Sequence, residues 1–155
     1  MALTQQQRQF FDTFGYLVVR RLLSADWVER TTAAFEWSIE NWGGGSDHDG
    51  TRRTMFGGPI EHIPDMCALM DHPDLLALIG GVTGDDFNYC GGDGNYYVGD
   101  TSWHPDGNWG QLWATKTAFY LDSVTADSGC LRVIPGSQDP DHFVRRGKVN
   151  PNESQ

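Results

Sequence analysis

Near residue 83 the chain changes character, and this limits the folds open to it. Before that point apolar residues recur at helical spacing. From Asp86 onward they come in short runs broken by glycine-rich turns. Helices first and strands second, with no internal repeat, describe one α+β domain over residues 1–155. Its helical part covers about 1–82 and its β-rich part about 83–155.

In the helical part, Thr4 followed three residues later by Gln7 is a capping-box pattern. The predicted helix carries Phe10, Phe11 and Phe14 on one face and ends at Gly15. Tyr16–Val19 is a β-branched and aromatic run that predicts a strand. Ser24 suits the N-cap of the next helix. There Val28, Thr32, Phe35, Ile39 and Trp42 alternate in steps of four and three, one face of a helix of about five turns. Residues 43–53 (GGGSDHDGTRR) form a loop by composition. Within it the Asp47-His48-Asp49 run reads as solvated loop before it reads as a metal site. Pro64 and Pro73 predict short helices over 64–70 and 73–79, the second stopped by Gly80 and Gly81.

In the second half, strands are predicted over 86–90, 95–98, 112–121 and 130–134. Gly91-Gly92-Asp93-Gly94 and Ala126-Asp127-Ser128-Gly129 are the turn signals between them.

The charge balance narrows the partners. With 21 acidic and 11 basic residues the formal charge is −10, a field that repels nucleic-acid phosphate. Basic residues do cluster, at Arg20-Arg21, Arg52-Arg53 and Arg145-Arg146-Lys148. The expected partner is a small molecule rather than nucleic acid or membrane. Cys67, Cys90 and Cys130 are odd in number and widely spaced, which predicts three small buried thiols in a reducing compartment. The N-terminus lacks the apolar run of a signal peptide and no stretch reaches membrane-spanning length, so the expected location is cytoplasmic.

The segment that carries chemistry is Trp103-His104-Pro105-Asp106-Gly107. On extended backbone, residues two apart face the same side. An imidazole nitrogen and a carboxylate oxygen can therefore converge on one cation. With a later histidine they would complete the two-His-one-carboxylate triad of non-haem iron(II) sites. The spacing alone fits a surface pair at a strand end equally well. Trp103 fits a pocket wall or core packing, and Tyr97 upstream fits a pocket position.

Flanking segments add a resemblance. Leu3-Thr4, Phe10-Phe11 and Phe14 to Val19, then Leu22-Leu23-Ser24, look like a family's opening helix, strand and second helix. Trp103 to Gly107 looks like its iron motif. Leu121 to Val124 and Ser128 to Ser137 (SGCLRVIPGS) look like its strand-turn-strand segment. Together they resemble the phytanoyl-CoA dioxygenase (PhyH-like) family of iron(II)- and 2-oxoglutarate-dependent oxygenases. The resemblance implies a double-stranded β-helix, a jelly-roll of the cupin kind. It implies iron(II), 2-oxoglutarate and O2 as cofactor and co-substrates, and hydroxylation of a small organic substrate. It makes His104 and Asp106 metal ligands. It makes Lys116, in the predicted strand before Leu121, and Arg132, beside Leu131, candidates for holding a 2-oxoglutarate carboxylate. A solvent-facing role fits either residue as well.

The family's third ligand and its co-substrate arginine are expected well beyond the Pro-Gly-Ser segment. The sequence reaches Gln155 without either at the expected place, so the expectation is an incomplete β-helix that lacks its closing strands. His142 is the one histidine downstream of the motif, and its loop context argues against a ligand role. Exposed sheet edges would then invite self-association. Two alternatives stay open: an inactive fragment or binding module of the same fold, and a cupin-like metal enzyme that does not use 2-oxoglutarate.

Overall fold

The computed structural model describes residues 2–42, 48–106 and 113–139. Helix α1 spans Gln5–Phe14. Its capping box forms as the sequence predicts: Gln7 N–H donates to Thr4 Oγ1 at 3.2 Å, and Thr4 N–H donates to Gln7 Oε1 at 2.9 Å. Gly15 ends it in the left-handed region at φ 77°, its N–H reaching Phe11 O at 2.7 Å. Helix α2 spans Ala25–Trp42, and Ser24 Oγ accepts from Trp27 N–H at 3.3 Å at its start. Its buried residues are Thr31, Phe35, Ser38 and Ile39. The inward face thus keeps Phe35 and Ile39 of the predicted stripe, while Trp42 stays on the surface.

A short strand β1 (Thr54–Gly57) follows, then α3 (Pro59–His62), α4 (Pro64–Cys67), a 3₁₀ turn over Ala68–Asp71, and α5 (Pro73–Thr83). Prolines open all three helices, where a missing N–H costs nothing. His72 caps α5, its Nδ1 accepting from Leu75 N–H at 3.3 Å. Contrary to expectation, α5 runs through Gly80 and Gly81. The reason is tertiary. A Cβ at Gly81 would lie 3.0 Å from Leu3 Cδ1, and Arg8 Nη1 donates to Gly81 O at 2.6 Å. The glycine lets the start of the chain pack against this helix.

Strand β2 (Asp93–Tyr96) pairs antiparallel with β1, Thr54 opposite Tyr96 and Phe56 opposite Gly94. The core cluster of Phe35, Ile39, Phe56, Ile63 and Met66 lies between α2, this two-stranded sheet and the α3–α4 turns, with Tyr96 and Leu121 packed against it. Burying such side chains contributes about 1.5–3 kcal/mol each.

The architecture is α+β, with the helices first. The described residues contain one two-stranded sheet and no jelly-roll. Of the predicted strands, only the segment near 95–98 forms a ladder, shifted to 93–96. Segments 16–19, 86–90, 113–121 and 130–134 join no ladder. A strand exists only where a neighbouring strand takes its N–H and C=O groups, and these segments lie in no sheet among the described residues. The turn at 126–129 does form, with Cys130 N–H and Ser128 N–H both on Thr125 O. Two of the thiols expected to be buried, Cys67 and Cys90, are exposed. Among the described residues, no helix is long and apolar enough to cross a membrane.

Candidate metal centre

Beyond β2 the chain turns at Gly99 (φ 75°) and reaches the His-Pro-Asp segment. Pro105 has a fixed φ and steers His104 toward extended backbone. That conformation sets side chains two residues apart on one side, and the structure brings the two together: His104 Nε2 stands 3.6 Å from Asp106 Oδ1. The other ring nitrogen, Nδ1, lies 2.7 Å from the Ser102 carbonyl oxygen. A carbonyl only accepts, so Nδ1 is the donor, and in the neutral imidazole Nε2 then holds the lone pair. This is the arrangement that fixes a metal-ligating imidazole.

In that neutral form Nε2 and Oδ1 are two acceptors facing each other at 3.6 Å, too far apart for a hydrogen bond. Such a pair is stabilised by positive charge. Lys116 supplies it here, its Nζ 3.2 Å from the same Oδ1. All three side chains are about half exposed, at 53%, 49% and 54%, so solvent screens these interactions.

Arg132 lies over the Trp103 ring at 5.5 Å, with Asp100 Oδ1 3.7 Å from its guanidinium. It thus braces the residue next to His104. Tyr97 is exposed and lies under Arg53, whose guanidinium is 4.6 Å from the ring centroid. Tyr96 turns the other way, edge-on to Phe35 at 5.2 Å and stacked on His48 at 4.8 Å. Burial, then the carboxylates of Glu36, Asp122 and Glu40, hold its phenol above the ordinary tyrosine range.

An imidazole nitrogen and a carboxylate oxygen suit iron(II), and this pair fits two positions of a facial site. No group of three or more His, Cys, Asp or Glu that could hold a metal occurs among the described residues. The other described histidines are engaged elsewhere. His48 shares a hydrogen bond with Thr54 Oγ1, His62 meets the Trp42 ring and His72 caps α5. His142 lies outside the described residues, as do Arg145, Arg146 and Lys148. A groove of about 460 Å³ between α2 and the α3–α4 turns, lined by Arg30, Trp37, Trp42 and His62, shares no residue with this centre.

The structure brings together His104, Asp106 and Lys116, three of the residues named from sequence, and adds Ser102 and Asp100, which sequence did not name. Ser102 acts through its backbone carbonyl, which no side-chain pattern reports.

Both halves of the His-x-Asp motif and the residues around it fall within a recognised family domain. Residues 87–155 match the family model described as Phytanoyl-CoA dioxygenase (PhyH), the family that the chain's motifs resemble. The opening segments that contributed to the resemblance lie outside the matched residues. No curated protein and no solved structure matches the chain. That family is generally iron(II)- and 2-oxoglutarate-dependent.

Proposed function

We propose that this chain carries two iron(II) ligands, His104 and Asp106, of a 2-oxoglutarate-dependent dioxygenase that hydroxylates a small organic substrate. The observation that carries the reading is the oriented pair itself. Nε2 of His104 faces Asp106 Oδ1 at 3.6 Å, and Nδ1 lies 2.7 Å from the Ser102 carbonyl oxygen. The pair lies within the matched family segment.

Bound iron(II) and 2-oxoglutarate would supply the oxidation, with one oxygen atom of O2 going to the substrate C–H and the other to succinate, alongside CO2. The chain's own residues bind and orient. Ser102 keeps the imidazole in the tautomer whose Nε2 is free to ligate. Asp106 contributes an anionic oxygen, which lowers the charge a divalent cation brings to the site. Trp103, held beneath Arg132, forms an aromatic wall beside His104. Among the described residues, Lys116 and Arg132 are cations near enough to the motif to meet an anionic co-substrate.

An anaerobic titration of the purified chain with iron(II) and 2-oxoglutarate tests this. The expected result is a weak visible charge-transfer band, lost in His104→Ala. A folded chain that gives no band overturns the reading. Metal binding that 2-oxoglutarate does not alter would point instead to a metal site of another chemistry.

A further inference from the structure

Lys116 and His104 address the same atom. The ammonium is 3.2 Å from Asp106 Oδ1, and Nε2 approaches that oxygen at 3.6 Å. A metal joined to both His104 and Asp106 would have to occupy space against Oδ1 that the ammonium now faces. Two cations cannot share one exposed carboxylate oxygen without repelling each other.

Resting on the metal reading above, we infer that Lys116 is a built-in competitor of the metal. Its ammonium neutralises Asp106, and a cation joined to both His104 and Asp106 must displace it. This weakens metal affinity and prevents two bare acceptors from facing each other. Asp106 is about half exposed, so the ammonium can swing into solvent when displaced. The competition is accordingly modest. An exposed pair of this kind is worth a factor of up to about five, and repulsion of a divalent ion by a nearby ammonium adds to it. Removing the charge should tighten metal binding about three- to tenfold.

The test is calorimetric titration with Mn(II), a redox-stable probe of iron(II) sites, on the wild-type chain, Lys116→Met, Lys116→Gln, Lys116→Arg and His104→Ala. Circular dichroism melts establish that each variant is folded. The expected result is tighter Mn(II) binding in both neutral variants, wild-type affinity in Lys116→Arg, and loss in His104→Ala. The arginine variant separates charge from packing. Unchanged or weaker binding in the neutral variants, with wild type binding and His104→Ala not, overturns the competitor role and leaves the metal reading intact. Tightening in Lys116→Arg equal to that in Lys116→Met also overturns it. If no variant binds Mn(II), the metal reading fails and this inference fails with it.

Discussion

Gly94 leaves no room for a side chain against Phe35. A Cβ built at Gly94 would lie 2.5 Å from Phe35 Cε2 and 2.7 Å from Phe56 Cε1. Gly94 is buried in β2 directly opposite Phe56, and the two phenyl rings close over it with centroids 5.7 Å apart. A glycine that weakens a strand by its own flexibility is kept here because a backbone and two rings must approach closely. Gly94→Ala is therefore an overpacking mutation in the middle of the core. It should destabilise the chain by about 1–3 kcal/mol, read as a lower urea midpoint at unchanged slope. An unchanged midpoint would mean the rings do not close over the strand.

Thr31 offers the opposite opportunity. Its side chain is 1% exposed, and its Oγ1 has no hydrogen-bond partner among the described residues. Ser38, two turns on along the same face, avoids this by donating to Ala34 O at 2.6 Å. A buried hydroxyl without a partner keeps its desolvation cost and gains nothing in return. Thr31→Val retains the shape and removes the cost, so it should stabilise the fold by about 1 kcal/mol. A thermal or urea melt measures this directly, and a loss of stability would show that the hydroxyl has a partner.

Sequence reading succeeded where a signal is local and failed where a partner decides. Thr4 with Gln7, Ser24 with Trp27, Pro73 and the turn before Cys130 are each settled within a few residues, and each appears as read. Gly80 and Gly81 look like a helix stop until Leu3 and Arg8 dock on them from the far end of the helical part. Gly94 looks like a turn until Phe35 arrives from α2. Strand β1 was missed because Thr54–Gly57 is too short to show alternation, and its burial is conferred by the helix above it. The expected strands at 112–121, of which 113–121 is described, and 130–134 form no ladder there for the related reason that alternation specifies a face and not a partner. At the candidate metal centre, the His-x-Asp spacing was legible because both groups are side chains on one short segment. The Ser102 carbonyl and the shared use of Asp106 Oδ1 by Lys116 belong to three-dimensional placement alone.

Tyr89 gives the chain a recognisable alkaline titration. Burial first, then the charge of Glu61 and the hydrogen bond its hydroxyl donates to Glu61 Oε2 at 3.2 Å, push its phenol from 10.0 to about 12. The folded value is raised, so this group's contribution to stability is full below pH 10. It is lost as pH rises from there through 12, because the unfolded chain ionises first. Ultraviolet titration of the five tyrosines should show a late-ionising component. Glu61→Gln should move it down without restoring the ordinary value, since burial remains. If every tyrosine ionises together in the folded wild type, the Glu61 contact is absent.

Gln138 ties the family segment to the first helix. Its Nε2 donates to the carbonyls of Asp12 and Thr13 at 3.3 and 3.4 Å, and Gly136 N–H donates to Phe14 O at 2.9 Å. These are carbonyls in the last turn of α1, which the helix leaves without internal partners. Gly15 permits the approach, since a Cβ there would overlap the Gln138 amide. The side chain thus does for α1 what a C-terminal cap does, across a long separation in sequence. Gln138→Ala removes both long hydrogen bonds and leaves the Gly136 bond in place. Local opening at Gly136 should become easier by about 1 kcal/mol, a roughly fivefold faster amide exchange, with the amides of α5 unaffected. Gly15→Ala should act on the same contact more strongly, because it adds strain at a positive φ to the overlap. Native-state hydrogen exchange resolved by residue checks both. Equal acceleration at Gly136 and across α5 would show a global loss of stability rather than undocking of this segment.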